Sequence, residues 1–290
     1  MLSKEDKCTY FDYQFYLKTY TDLIKAGIST EEAAFIHYTQ FGLAEGRTGS
    51  LYEMQYTMKK NTVKVKEQYN SFKPNLSTAP ENKITILVRT SDRPNHFAKC
   101  IQSIFEQSYQ NFHIFVCYDK ISSLDYLECY EKNTQITYFP VYVKSDEKYK
   151  FNLYCNKLLG KVNDGHILFL DDDDMLVHNH VLAILNHEIG QCKDSSTPEN
   201  LIVGQFMRAD KLIYPKDITS DMVLGEITAS SVCFHHSFKH NIKWDDNQCG
   251  DFRFFSQVLN HLPRSIIKQT NYIIASTQFD NKIGHYGESE

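Results

Sequence analysis

The chain has 290 residues with 36 acidic against 31 basic side chains, a formal net charge of −5. That balance argues against a nucleic-acid binder, which carries a concentrated basic surface, and 42 % hydrophobic with 23 % charged residues is ordinary globular composition. The length suffices for one large domain, or one domain with a small appendage.

Residues 10–48 set aromatic and small apolar side chains at helical spacing (Phe11, Phe15, Tyr16, Tyr20, then Ala33, Ala34, Ile36, Tyr38, Phe41). This predicts a small helical module over 1–48. Gly27 and Gly42 read as helix stops, and Ser29 or Thr30 as the cap of the second helix. Residues 49–82 are polar and punctuated by Pro74 and Pro80, so a linker is expected, helical over 52–69. No apolar run approaches a membrane span, and MLSKEDKCTYFDY lacks the core of a signal peptide. No transmembrane segment and a cytoplasmic location are therefore expected.

From residue 84 strands alternate with helices. Strands are predicted at 84–88 (ITILV), 112–118 (FHIFVCY), 136–143 (ITYFPVYV, weakened by Pro140) and 166–170 (HILFL), with helices at 97–108, 124–130 and 149–162. A helix over 180–190, strands over 201–207 and 227–235 and a helix over 251–261 follow in a less regular second half. The alternation predicts an α/β domain over 83–290, with a mainly parallel, Rossmann-like sheet flanked by helices.

Ligands of such sheets gather at the carboxyl ends of the strands. The residues there are polar: Thr90-Ser91-Asp92-Arg93 after the first strand, Asp119 after the second, and Asp171 to Asp174 after the fourth. Four adjacent carboxylates repel one another, and no Lys or Arg stands within the run. A hard divalent cation, Mn²⁺ or Mg²⁺, held by one or two of them together with substrate phosphates, is the expected partner. No glycine-rich loop follows the first strand, which excludes a dinucleotide fingerprint and a Walker loop. Phosphates then fall to the metal and to basic side chains, with Lys150 and Arg93 as candidates. The eight Cys contain no CxxC pair, and the sequence cluster Cys233, His235, His236, His240 and Cys249 fits no zinc spacing. Reduced thiols are expected. Trp244 lies ahead of Asp251 and reads either as acceptor-site lining or as core.

The segments VRTSDRP, FVCYD, NDGHILFLDDDDML and CGDFRFF, in this order over residues 83–275, resemble the successive motifs of the inverting family 2 glycosyltransferases with the GT-A fold. The last is similar to the GDxRFF segment of the spore-coat polysaccharide type. The resemblance implies transfer of a sugar from a nucleotide-diphosphate donor, UDP before dTDP, to a glycan or a protein- or lipid-linked acceptor. It implies that Asp119 accepts from N3 of the pyrimidine and that Arg89 and Ser91 contact the base, with Ser91 where the family usually has Tyr; Thr90 between them is a further nucleotide-binding candidate. Lys150 matches a position near the phosphates, where Arg93 is the second candidate, and Asp172 would lie near the ribose. Asp173 would hold the metal, paired with Asp172 or, against the DxDD form, with Asp171; His285 is a further candidate ligand. Asp251 matches the catalytic base, a carboxylate opening a helix whose dipole would hold it ionised. The module at 1–48 resembles a helical segment that accompanies many glycosyltransferases. Two alternatives stand beside this reading. An inactive nucleotide- or glycan-binding module would be expected to lack Asp173 or Asp251. A sugar-nucleotide pyrophosphorylase would need glycines where this chain has RTSDRPN.

Overall fold

The computed structural model describes residues 2–72, 81–142, 149–191, 199–209, 212–216 and 224–278. At the N-terminus α1 (Lys4–Thr9), α2 (Tyr13–Thr19), α3 (Thr21–Lys25), α4 (Glu31–His37) and the short α5 (Leu43–Glu45) enclose a small core of Tyr16, Leu17, Tyr20, Leu23, Ala34 and Tyr38. Ser3, Asp12 and Thr30 start α1, α2 and α4 by accepting from backbone N–H groups of the first turn. Gly27 follows α3 with φ +85°, the predicted stop. Gly42 is not a stop: a π turn over Tyr38–Gly42 runs into α5, and the left-handed terminator is Gly46. Gly42 is required for a different reason, since a Cβ there would lie 3.2 Å from the Tyr38 ring and 3.3 Å from that of Tyr16.

The segment expected as a linker contains α6 (Leu51–Ser71), 21 residues long. Its first turn buries Glu53, whose carboxylate accepts from Tyr38 Oη (2.7 Å) and Gly49 N (2.6 Å) and pairs with Lys7 (2.6 Å). Its last turns lie on the sheet: Tyr69 Oη donates to the Ile273 carbonyl and Gln68 Nε2 to that of Asn271, both at 2.7 Å. Pro74 and Pro80 lie outside the described residues.

The sheet is built from β1 (Ile84–Thr90), α7 (Pro94–Phe105), β2 (Phe112–Tyr118), α8 (Leu124–Leu127), β3 (Ile136–Pro140), α9 (Lys150–Leu159), β4 (His166–Phe169), β5 (Met175–Leu176), α10 (Val181–Gly190), β6 (Leu201–Met207), β7 (Ile213–Tyr214), β8 (Val232–His235), α11 (Gly250–His261) and β9 (Ile267–Ser276). The strand order is β3-β2-β1-β4-β8-β6-β9-β5, with β7 beside β6. β1, β2, β3 and β4 pair in parallel, as predicted; β8 then runs antiparallel to β4 and β6, while β9 is parallel to β6. Alternation along β1 sends Ile84, Ile86 and Val88 into a core shared with Phe97, Ile101 and Ile104 of α7 and with α10. Leu87 enters the opposite core, with Tyr154 and Leu158 of α9 and Phe254, Phe255 and Val258 of α11. Burying each such side chain contributes about 1.5–3 kcal/mol, and the two cores together hold the strand ends at one edge. Among the described residues, no helix is long and apolar enough to cross a membrane.

Three departures from the sequence expectation have local causes. β3 stops at Pro140, which has no N–H for a ladder; Val143 lies outside the described residues. Only Val232–His235 of the 227–235 strand is extended. Ahead of it Thr228 and Ser231 bond each other's backbone and side chains and fold Ala229–Ser231 into a 3₁₀ turn, the competition hydroxyl residues offer to sheet ladders. β9, ten residues long, was not expected, because Lys268, Gln269 and Asn271 interrupt its apolar pattern; its continuous buried run is Ile273–Ser276. Tyr69→Phe should cost about 1 kcal/mol in urea unfolding by stranding the Ile273 carbonyl. An unchanged midpoint would mean that α6 contributes nothing to the sheet through this bond.

Candidate active site

The register of β1 on β4 assembles the site. Ile84 lies opposite His166 and Leu87 opposite Phe169, so two residues further on Arg89 meets Asp171. The chain runs β1 to β2 to β3 and then returns to β4 on the other side of β1. The carboxyl ends of β1 and β4 therefore flank the switch point at which open α/β sheets leave a crevice. A cleft of about 400 Å³ opens there, lined by Arg89 to Ser91, Arg93, Asp171, Asp173 and Asp174, and on its far side by Asn247 to Phe252.

The four aspartates take four different environments. Asp171 is bound end-on by Arg89, with Nε and Nη2 each 2.6 Å from a carboxylate oxygen. Asp172 is fully buried, accepting from Arg93 Nε (3.2 Å), from Arg93 Nη2 and from Thr90 Oγ1 (2.7 Å). Asp173 faces the cleft and keeps one long contact, 3.3 Å, to Arg93 Nη1. Asp174 accepts from Ser230 Oγ (2.9 Å) and from the Gln278 backbone N–H (3.0 Å). Burial raises the pKa values of Asp172, Asp173 and Asp174, and at Asp172 and Asp173 the Arg93 charge opposes that rise. The repulsion within the run is thus relieved from outside it, by two arginines of the β1 end.

Two of the expected nucleotide contacts are engaged with each other. Asp172 has no exposed surface and holds Arg93. Arg93 is itself 7 % exposed and is tied to Asp172 and Asp173, so its charge is already engaged by carboxylates.

Arg89, Thr90 and Ser91 line the cleft, whereas Asp119 and Lys150 do not. They connect to it through Tyr154, a residue no sequence spacing singled out. Tyr154 lines the cleft and donates to Asp119 Oδ2 at 2.6 Å, while Lys150 Nζ approaches the same oxygen at 3.4 Å. Asp119 Oδ1 is buried without a hydrogen-bond partner among the described residues. Burial works to raise the Asp119 pKa, but the Tyr154 and Ser91 hydroxyls and then Lys150 hold it below the ordinary carboxylate value.

Across the cleft Asp251 stands in the first turn of α11, half-buried. Its Oδ1 accepts from the Phe252 N–H at 2.8 Å. Its pKa is raised, by burial first and by the Asp171 charge second. Burial thus works against the Phe252 N–H bond at the helix start, which favours the ionised carboxylate. Trp244, 3 % exposed, serves both readings: it stacks on Phe254 at 4.8 Å in the core and also borders the cleft. Phe206, Arg208, Leu224 and Ile227 complete the wall on the β6 side. Cys233 is buried in β8 while Cys249 is exposed at the cleft, so the sequence cluster of Cys and His is not one site. Among the described residues no group of three His, Cys, Asp or Glu side chains forms a metal cage. His285 lies outside the described residues.

No protein-family model matches the chain, and no curated protein matches it in sequence. Solved structures match it in shape. The 1–349 piece of S. aureus TarS, solved also with UDP and with UDP-GlcNAc, aligns at TM-score 0.54 and 13 % identity, over 67 % of this chain and 60 % of that one. The mannosyltransferase PcManGT of Pyrobaculum calidifontis, solved with GDP-Man and Mn²⁺, aligns at TM-score 0.52 and 8 % identity, over 80 % and 67 %. The chain has the GT-A fold. At these identities the likeness is one of fold, and the chain spans 60 % of the TarS piece and 36 % of longer TarS.

Removing one partner of a buried pair leaves an uncompensated charge, so Arg93→Met should destabilise the fold by about 3–5 kcal/mol at neutral pH. The folded-state pKa of Asp172 lies above its unfolded value. Its contribution is complete at low pH and lost as the pH rises through the folded value. The deficit of Arg93→Met, measured by denaturant titration, should therefore be smaller at about pH 5 than at about pH 8. An equal deficit at both would show that Asp172 is not the stranded charge.

Proposed function

We propose that the chain is a metal-dependent, inverting glycosyltransferase of the family 2 type. It would move a sugar from a nucleotide-diphosphate donor, UDP before dTDP, to a hydroxyl of a glycan or of a protein- or lipid-linked acceptor. The observation that carries this reading is the cleft itself: on a GT-A sheet, carboxylates at the β1/β4 switch point face a half-buried, raised-pKa carboxylate at the start of α11. One wall suits a charged diphosphate and the other a proton acceptor, and a direct displacement at an anomeric carbon needs both.

The residues fit a divalent cation of a particular kind. Asp173 faces the cleft with a single long Arg93 contact, and Asp171 borders it. Without a three-ligand protein cage among the described residues, the fit is to an ion that draws most of its ligands from the diphosphate, the usual habit of Mg²⁺ and related hard ions. Asp173, with Asp171, would hold it, and when bound it would offset the charge growing on the departing diphosphate. The chain's own groups do the rest. The buried, unpartnered Asp119 Oδ1 is a ready acceptor for the N3–H of uracil or thymine, which supports a pyrimidine donor. Arg89, Thr90 and Ser91 line the route from that position to the acidic run. Asp251 takes the proton from the acceptor hydroxyl as its oxygen bonds to the anomeric carbon and the bond to the diphosphate breaks.

With Mn²⁺ present, UDP should raise the melting temperature by about 2–4 °C per kcal/mol of binding free energy. No shift with either UDP or dTDP would count against the donor assignment, and Asp173→Ala should remove the metal-dependent part. Asp251→Asn should keep the UDP shift and slow transfer by about 10²–10⁴-fold; transfer at the wild-type rate would remove Asp251 from the mechanism. Because the Asp251 pKa is raised above 3.8, the rate should rise with pH through an acid limb above that value. A limb at or below it would contradict the buried-base reading.

A further inference from the structure

Two asparagines one helical turn apart on α9 have no part in the chemistry above, yet both are committed to the wall that carries Asp251. Asn156 uses both ends of its amide on one residue: Nδ2 donates to the Trp244 carbonyl at 2.7 Å, and Oδ1 accepts from the Trp244 N–H at 2.9 Å. Asn152, 9 % exposed, donates from Nδ2 to the carbonyls of Asp245 (3.0 Å) and Asn247 (2.8 Å). Its side chain also lies against Gly250, where a Cβ would stand 2.6 Å from Asn152 Cγ. The residue between Asn247 and Asp251 that most needs outside support is Cys249, a non-glycine residue at φ +57°, a conformation that costs roughly 1–2 kcal/mol.

Loop carbonyls are ordinarily satisfied by water. Here three of them, together with one N–H, are satisfied by two amides of a single helix, and Trp244 is stacked on Phe254 of α11 in turn. The 244–250 segment is therefore gripped from α9 on one side and from the helix bearing Asp251 on the other. An amide grips without adding charge, which matters beside Asp171 and Asp251. A carboxylate or ammonium in the same place would alter the field at the proton acceptor.

We infer that Asn152 and Asn156 are positioning residues that seat residues 244–250 and through them aim the Asp251 carboxylate into the cleft. This rests on the reading of Asp251 as the base. A displacement of about 1 Å at a reacting group costs about a hundredfold in rate, so loosening the seat should appear in turnover while the donor wall, built on β1 and β4, keeps its affinity.

The test compares wild type with Asn152→Ala, Asn156→Ala and Asn156→Asp, the last keeping an acceptor for the Trp244 N–H while losing the donor to its carbonyl. A panel of UDP- and dTDP-sugars is first screened with wild type, and the donor that it hydrolyses is used thereafter. The alanine variants should lower kcat by about 10–100-fold with the Kd for UDP within about twofold of wild type, and Asn156→Asp, which sets a charge against the Trp244 carbonyl, should lower kcat at least as far as Asn156→Ala. An unchanged kcat would overturn the inference, as would a loss of UDP affinity in step with kcat, which marks general damage. Amide hydrogen exchange separates this from the parent reading. Residues 244–252 should exchange faster in both alanine variants, with 84–90 and 166–169 unchanged, and unaltered exchange at 244–252 would show that no seat exists. Hydrolysis of no sugar nucleotide by wild type would sink the transferase reading, with the seat still decided by exchange.

Discussion

The pairing of β1 with β4 in parallel register is the constraint on which the site depends. It sets Leu87 beside Phe169 and so delivers Arg89 to Asp171, while Arg93, one turn beyond the strand, closes on Asp172 and Asp173. Without those two guanidinium groups the end of β4 would leave Asp171, Asp172 and Asp173 without a counter-ion, the last two of them buried. With them, Asp171 and Asp173 line the cleft in different states, Asp171 held bidentately and Asp173 by one long contact, beside Asp174, which Ser230 and Gln278 bind. An acidic run that would oppose folding becomes a surface with one weakly engaged carboxylate, Asp173.

The division between the two halves of the sheet follows the division of chemical labour. The parallel half supplies strand ends with cores on both faces, and the acidic run and its two arginines sit there. The mixed half and the turns after it supply the opposite wall, where Phe206, Ile227, Trp244 and Phe252 lie among Arg208 and Asp251. Asp174 joins the halves: its carboxylate reaches Ser230 on one side and the backbone of Gln278 on the other.

Much of this was legible in the residues, for physical reasons. Short runs such as ITILV, FHIFVCY and LIVGQFM are apolar on both faces, which only a covered strand tolerates. The polar punctuation after them marked the functional edge. What stayed hidden depends on partners far along the chain. The counter-ions of the aspartates are 79–82 residues away, and no local pattern predicts a bond of that span. β9 was hidden by the polar residues of its exposed half. Sequence shows that Asp251 opens a helix but not that it is buried there. Asn152, Asn156 and Tyr154 look like ordinary helix residues until the fold shows what they touch.

The most direct measurement is a crystal structure with UDP and Mn²⁺, the ion located by its anomalous signal. The ion should lie against Asp173, with the uracil at Asp119 and the diphosphate between the acidic run and the Gly250–Asp251 wall. A nucleotide bound outside this cleft, or an ion touching neither Asp171 nor Asp173, would contradict the assignment.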